Sequence, residues 1–83
     1  MYRLVISPRA QKNLKHIKKD YQLAVEIALE DIKEDPLIGK PLSRDLTGKF
    51  SYRVGVYRIV YKFNQQDEVV YILSAQHRSI AYN

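Results

Sequence analysis

The chain has 83 residues with 14 Lys/Arg, 9 Asp/Glu, a net charge of +5, 46% hydrophobic residues and no cysteine. This length sets a single domain, residues 1–83, with one small core and no room for an enclosed cofactor chamber, since so short a chain buries only about 60–65% of its unfolded surface. The composition excludes disulfides, thiolate nucleophiles and thiolate metal sites, and is too apolar for a disordered chain.

No apolar run approaches the roughly 20 residues of a membrane-crossing helix. The opening residues, from Met1 to Pro8, lack the apolar centre of a signal peptide, so the cytoplasm is the expected location. Charge is unevenly spread. Residues 1–20 hold six Lys/Arg and one acid, residues 21–48 hold three and six, and residues 49–83 hold five and two. Basic ends with an acidic middle favour a polyanion such as nucleic acid, through release of phosphate counterions; a merely solvated surface is the alternative.

Tyr2 to Ile6 is short and β-prone, a first strand. Ser7-Pro8 then starts a helix, because Ser accepts from unpaired N–H groups and Pro fits the first helical position. Ala10, Leu14 and Ile17 lie at i, i+4 and i+7 on one face, leaving Lys12, Lys15, Lys18 and Lys19 on a cationic exposed side. Asp20 is placed to cap a second helix whose apolar face is Val25, Ala28, Leu29 and Ile32. Asp35-Pro36 ends it, since the residue before Pro is pushed out of the α region.

Residues 36–48, with Pro36, Gly39, Pro41 and Gly48, read as a loop that Leu37, Leu42 and Leu46 pin to the core. A hairpin follows. Val54 pairs with Tyr57 around Gly55-Val56, Gly standing first as a type II′ turn requires. In that register Arg53 faces Arg58, Tyr52 faces Ile59 and Phe50 faces Tyr61. One face carries Phe50, Tyr52, Val54, Tyr57, Ile59, Tyr61 and Phe63; the other carries Ser51, Arg53, Arg58, Val60 and Lys62. A turn at residues 64–67 leads to a last strand, Glu68 to Ser74. Its alternation fails, which burial on both faces or a partner on one face would explain. The class is α+β in the order β-α-α-β-β-β, with two antiparallel helices on one face of a small, mainly antiparallel sheet.

Two arginines directly opposite on a sheet repel, by a few tenths of a kcal/mol or more. An anion between them reverses the sign, because the guanidinium fork binds phosphate bidentately. Arg53 and Arg58 are therefore either a phosphate clamp or two arginines splayed into water. The stretch from Gln76 to Asn83 follows the last strand, at the edge of the same face. His77 has the ordinary chemistry for proton transfer near neutral pH, or is an inert surface histidine. Tyr82 can stack on a base or anchor the chain end, and Arg78 can join the clamp. No glycine-rich phosphate loop and no metal-ligand spacing are present.

The segment from Tyr52 to Tyr61, YRVGVYRIVY, resembles the Y-R-x-G-x-Y-R-[IVL]-[IVL]-Y core of the RelE/ParE-type toxins, and His77-Arg78 with Ala81-Tyr82 resembles their terminal H-R-x-x-x-Y. The opening strand, the Ser7-Pro8 helix start and the Pro/Gly loop into Gly48 agree, so the resemblance spans nearly the whole chain. It implies the toxin of a type II toxin–antitoxin system, a ribosome-dependent, metal-independent endoribonuclease that cuts messenger RNA and inhibits translation. It implies a cognate antitoxin, the ribosome and mRNA as partners, and no small-molecule cofactor or membrane. It gives Arg58 the scissile phosphate, Arg78 an assisting role, Tyr82 base stacking or proton transfer, and Arg53, Lys49, Lys62, Lys12 and Lys15 RNA contact. His77 stands where some relatives have a catalytic histidine. Where RelE has two lysines on the strand before the hairpin, this chain has Ser51 and Arg53, so the general base is either His77 or Lys49. A ParE-like, non-enzymatic inhibitor of DNA gyrase shares the central motif, and an inactive antitoxin-binding relative is the third reading.

Overall fold

The computed structural model describes residues 1–80. Strand β1 (Arg3–Ile6) leads into helix α1 (Pro8–Lys15). Ser7 caps α1 as expected: its Oγ accepts from the Ala10 N–H at 3.0 Å, and Pro8 takes the first turn. The Ser7 hydroxyl also donates to the Leu73 carbonyl at 3.1 Å, which ties the helix start to the sheet.

Helix α2 (Lys19–Glu34) buries Val25, Ala28, Leu29 and Ile32, the face expected. Its start corrects the expected cap. Lys18 is the N-cap residue and makes no side-chain cap bond; Asp20 lies inside the first turn, where a carboxylate still favours the positive helix end. The reason is tertiary. The Tyr57 hydroxyl accepts the Lys18 N–H at 3.0 Å, so a strand side chain fixes where the helix begins. At the other end Asp35 is the C-cap residue, and its carboxylate accepts the Leu37 N–H at 3.1 Å.

The expected loop 36–48 contains 3₁₀ turns at Pro36–Ile38 and Arg44–Leu46 and a short strand β2 (Lys40–Pro41). Its anchor differs from expectation. Leu37 is 69% exposed and pins nothing, while Leu42 and Leu46 are half-buried. The pin is Tyr61, whose hydroxyl donates to the Pro36 carbonyl at 2.6 Å and accepts the Gly39 N–H at 2.9 Å. Gly39 leaves room for that ring; a Cβ there would run into the Tyr61 hydroxyl.

Strands β3 (Phe50–Val54), β4 (Tyr57–Asn64) and β5 (Val69–His77) complete a five-stranded sheet in the order β1-β5-β4-β3-β2. Only β1 with β5 is parallel. The hairpin register is as expected: Val54 opposite Tyr57, Arg53 opposite Arg58, Tyr52 opposite Ile59 and Phe50 opposite Tyr61. Gly55 has φ +58° while Val56 stays out of the left-handed region, which separates this turn from type I′.

Strand β5 runs to His77, three residues past its expected end. It is central, between β1 and β4, and Val69 and Val70 are both buried, so two-sided burial is part of its broken alternation. A bulge supplies the rest. Val60 pairs with Ser74 but Tyr61 pairs with Ile72, which leaves Leu73 as the extra residue. Val70, Ile72 and Ala75 consequently all join the core with Ile59, Tyr61 and Ile32. Past the end of β1, α1 covers the exposed edge of β5: Asn13 Oδ1 accepts the Ala75 N–H at 3.2 Å. An uncovered edge would be open to foreign strands. Together with the Ser7–Leu73 bond this contact holds α1 along β5.

Candidate functional site

The tyrosines and arginines of the YRVGVYRIVY segment do different jobs. Tyr57 and Tyr61 point to the helix side and are 6% and 0% exposed. The first fixes the start of α2 and the second fixes the Pro36–Gly39 turn. The Tyr61 pKa is raised above the usual tyrosine value, first because burial penalises the phenolate, and further by Asp35 and Tyr52; the Gly39 N–H opposes this. Tyr61 is therefore a neutral structural anchor.

The arginines point the other way. Arg53 and Arg58 sit opposite each other on the outer face, exposed and half-buried respectively. Across the next ladder Arg58 is opposite Gln76, Val60 opposite Ser74 and Lys62 opposite Tyr71. The exposed Lys62 ammonium stands 5.7 Å from the Tyr71 ring centroid, a cation–π contact.

This face is not a bare plane. An open groove has Val60, Leu73, Ser74 and Gln76 as its floor; Arg9 lines it from α1, and Arg44, Asp45 and Lys49 line it from the segment before β3. Three of the four charged groups lining it are cationic. Gln76 links the α1 side to the sheet, since Arg9 donates to its Oε1 at 3.5 Å. The chemistry open to such a surface is anion binding: cations over a polar and apolar floor, with a half-buried guanidinium beside it.

The other sequence-selected residues fall into three groups. Lys49 lines the groove. Lys12 and Lys15 are exposed on α1; Lys12 is three residues from Arg9 and shares its stripe, whereas Lys15 is turned away by about 120°. His77 does not stand on the basic face. It is opposite Tyr57 in the ladder, which places its side chain on the helix side, with ring centroids 5.9 Å apart. Its Nδ1 accepts the Ser79 N–H at 3.2 Å and is 2.9 Å from Ser79 Oγ. The expectation that the His77 side chain shares the Arg58 face is corrected by this register. Arg78 is exposed, and its N–H donates to the Val56 carbonyl at 2.7 Å, which holds the end of β5 against the hairpin turn. Tyr82 lies outside the described residues.

Sequence reasoning missed Arg9, Arg44 and Gln76. Arg9 carries a signal in hindsight. A cation in the first turn opposes the helix dipole by about 0.3–1 kcal/mol, and no acid stands there to offset it. Arg44 carries none, because its unusual feature is a backbone φ of +59°. A side chain held in that region costs on the order of 1 kcal/mol, and such positions gather at binding sites.

The opposite side of the molecule is different. The exposed part of α2 carries Glu26, Glu30, Asp31 and Glu34, and among them Leu23 and Ile27 are 68% and 53% exposed. Among the described residues, no helix is long and apolar enough to cross a membrane.

The family model described as the ParE toxin of the type II toxin–antitoxin system, parDE, matches residues 4–82. The toxin RelG of Mycobacterium tuberculosis is 44% identical over 59 residues, covering 70% of this chain and 68% of the relative. The toxin RelE of the same organism is 32% identical over 83 residues, covering 98% of this chain and 86% of the relative. Among solved structures, the RelBE2 toxin–antitoxin complex of M. tuberculosis superimposes with a TM-score of 0.82 at 37% identity, over 93% of this chain and 98% of the matched one.

Proposed function

Because the chain belongs to the ParE toxin family of type II toxin–antitoxin systems, we propose that it acts as a ribosome-dependent endoribonuclease that cuts messenger RNA and stops translation. The observation that carries this reading is the Arg53–Arg58 pair, two like charges opposed on a solvent-facing sheet beside a groove lined by Arg9, Arg44 and Lys49. Such a gathering of cations on one face favours a phosphate chain. The similar toxins RelG and RelE of M. tuberculosis support the RNA-cutting branch over gyrase inhibition.

In this reading the 2′-oxygen of the RNA attacks the adjacent phosphorus and the bond to the 5′-oxygen breaks, leaving a 2′,3′-cyclic phosphate and a 5′-hydroxyl. The proton leaves the 2′-hydroxyl to a base, and an acid protonates the departing 5′-oxygen. Arg58 holds the scissile phosphate and stabilises the charge that builds on it, with Arg78 assisting; positioned cations supply about 3–4 kcal/mol each in comparable sites. Of the two candidate bases, Lys49 lines the groove, whereas His77 is turned to the helix side. We therefore assign proton removal to Lys49, which acts in this step as the neutral amine, leaving Arg9 and Arg44 as the groove's permanent cations. Tyr82 serves base stacking or protonation of the leaving group, and Arg53, Lys62 and Lys12 bind flanking phosphates. Lys15 faces away from Arg9 and contributes only to the long-range field.

The groove is open, so it holds the strand without fixing the orientation of the attacking group alone. The ribosome supplies that orientation, which accounts for ribosome dependence and for work in the cytoplasm. A cognate antitoxin is the expected partner, as in the RelBE2 complex. The test is a defined message in a purified translation system, with and without ribosomes, read by primer extension. Cuts inside codons that need ribosomes support the reading. Intact message with normal synthesis, combined with lost DNA supercoiling activity of added gyrase, would replace it with the gyrase reading.

A further inference from the structure

Arg9 belongs to no part of the resemblance that assigned roles to Arg58, Arg78 and Tyr82, yet it occupies a distinctive place. It is exposed in the first turn of α1, and among the described residues it makes no ion pair. Among the described residues its side chain makes one long hydrogen bond, 3.5 Å, to Gln76 Oε1. Gln76 is itself the ladder partner of Arg58. Arg9, Gln76 and Arg58 thus form a row across three elements, α1, β5 and β4; Arg9 and Gln76 line the groove and Arg58 stands next to it. On the fold alone the placement is unhelpful, because a cation there opposes the helix dipole. The fold nevertheless holds α1 firmly in position. Ser7 bonds the Leu73 carbonyl and Asn13 bonds the Ala75 N–H, so two contacts to β5 bracket Arg9. A rigid base under an arginine with spare donors suits recognition of an anion.

We propose that Arg9 is a positioning residue for the RNA strand: its guanidinium grips a phosphate flanking the one at Arg58, across Gln76, and sets the register of the message in the groove. This rests on the RNA-cutting reading above. Arg9 makes no contact with the reacting atoms. It acts on how the strand is held, so its loss weakens binding and leaves the chemical step alone.

The experiment compares the wild type with Arg9→Ala, Arg9→Lys and Arg9→Glu in single-codon cleavage on programmed ribosomes. In parallel, each protein is titrated with a six-nucleotide single-stranded RNA at several salt concentrations, and each is unfolded with urea. Arg9→Ala is expected to raise KM about tenfold with kcat within twofold, and to reduce the slope of log affinity against log salt by about 0.7, the value of one lost phosphate contact on a single strand. Arg9→Lys is expected to keep the slope and recover most of KM, and Arg9→Glu to raise KM further, with no urea midpoint lowered and those of Arg9→Ala and Arg9→Glu slightly raised by relief of the helix dipole. Unchanged KM and slope in Arg9→Ala would overturn the proposal. So would a loss confined to kcat, or a loss that follows a lowered urea midpoint with the salt slope intact. If the wild type neither cuts ribosome-bound message nor binds the RNA, the underlying reading falls instead.

Discussion

Replacing Tyr61 by Phe removes one oxygen atom and separates the structural half of the YRVGVYRIVY segment from its functional half. The ring is fully buried, and the hydroxyl joins the Pro36 carbonyl at 2.6 Å to the Gly39 N–H at 2.9 Å. Phe keeps the ring packing but leaves both backbone groups without that partner. A buried group so orphaned costs about 1–3 kcal/mol, and two adjacent ones about 2–4 kcal/mol together. Domains of this kind have only about 5–15 kcal/mol in total. The melting temperature should therefore fall by roughly 8–32 °C, at about 4–8 °C per kcal/mol for a chain of this size. Urea unfolding followed by circular dichroism measures the loss, with an unchanged slope as the control for two-state behaviour. A loss below about 0.5 kcal/mol would refute the anchor.

The same variant has a pH signature. The folded Tyr61 has a raised pKa, so the unfolded chain gives up that proton first as pH rises. The resulting stability is fully present below the unfolded tyrosine value, about 10, and is lost as pH climbs through the folded value. The stability gap between wild type and Tyr61→Phe should hold from neutral pH to about 10 and shrink above it. A gap that stays constant up to pH 11 or so would contradict the burial argument.

Two further expectations follow from the same geometry. Gly39→Ala should destabilise by at least as much as Tyr61→Phe, because the new Cβ meets the Tyr61 hydroxyl although its φ of −75° suits alanine; a near-neutral effect on thermal unfolding would show that the turn yields easily. Binding of single-stranded RNA should weaken steeply with salt, and Arg53→Gln should lower the log–log slope by about 0.7. A flat salt response in the wild type would remove the electrostatic basis of the groove.

The hairpin was legible in the sequence because two independent signals agree there: strict period-two alternation and a glycine where the turn needs φ above zero. The Ser7-Pro8 start was legible because capping is local. What escaped depends on contacts distant in the chain. Asp20 loses the cap position to a hydroxyl 39 residues away from Lys18. Tyr61 reads as one more apolar strand residue, yet its hydroxyl replaces Leu37 as the anchor of the loop. The bulge at Leu73 has no local signature, and it decides which residues of β5 face the helices. His77 follows from strand length. A strand ending at Ser74 leaves its side chain free to swing to the basic face; a strand continuing to His77 puts it behind the sheet with Ala75. Arg53 and Arg58 were readable from alternation alone, whereas Arg9 and Arg44 reach the groove only through the tertiary placement of α1 and of the segment before β3.

The most direct test of the central claim is cleavage of one defined message on programmed ribosomes by wild type and by Arg58→Ala, with circular dichroism confirming that the variant is folded. The account predicts a native spectrum, because Arg58 stands on the outer face, and a cleavage rate reduced by about 10²–10³-fold, the usual cost of removing one group that stabilises developing charge. Undiminished cleavage by a folded Arg58→Ala would contradict it and would move the reaction away from this face of the sheet.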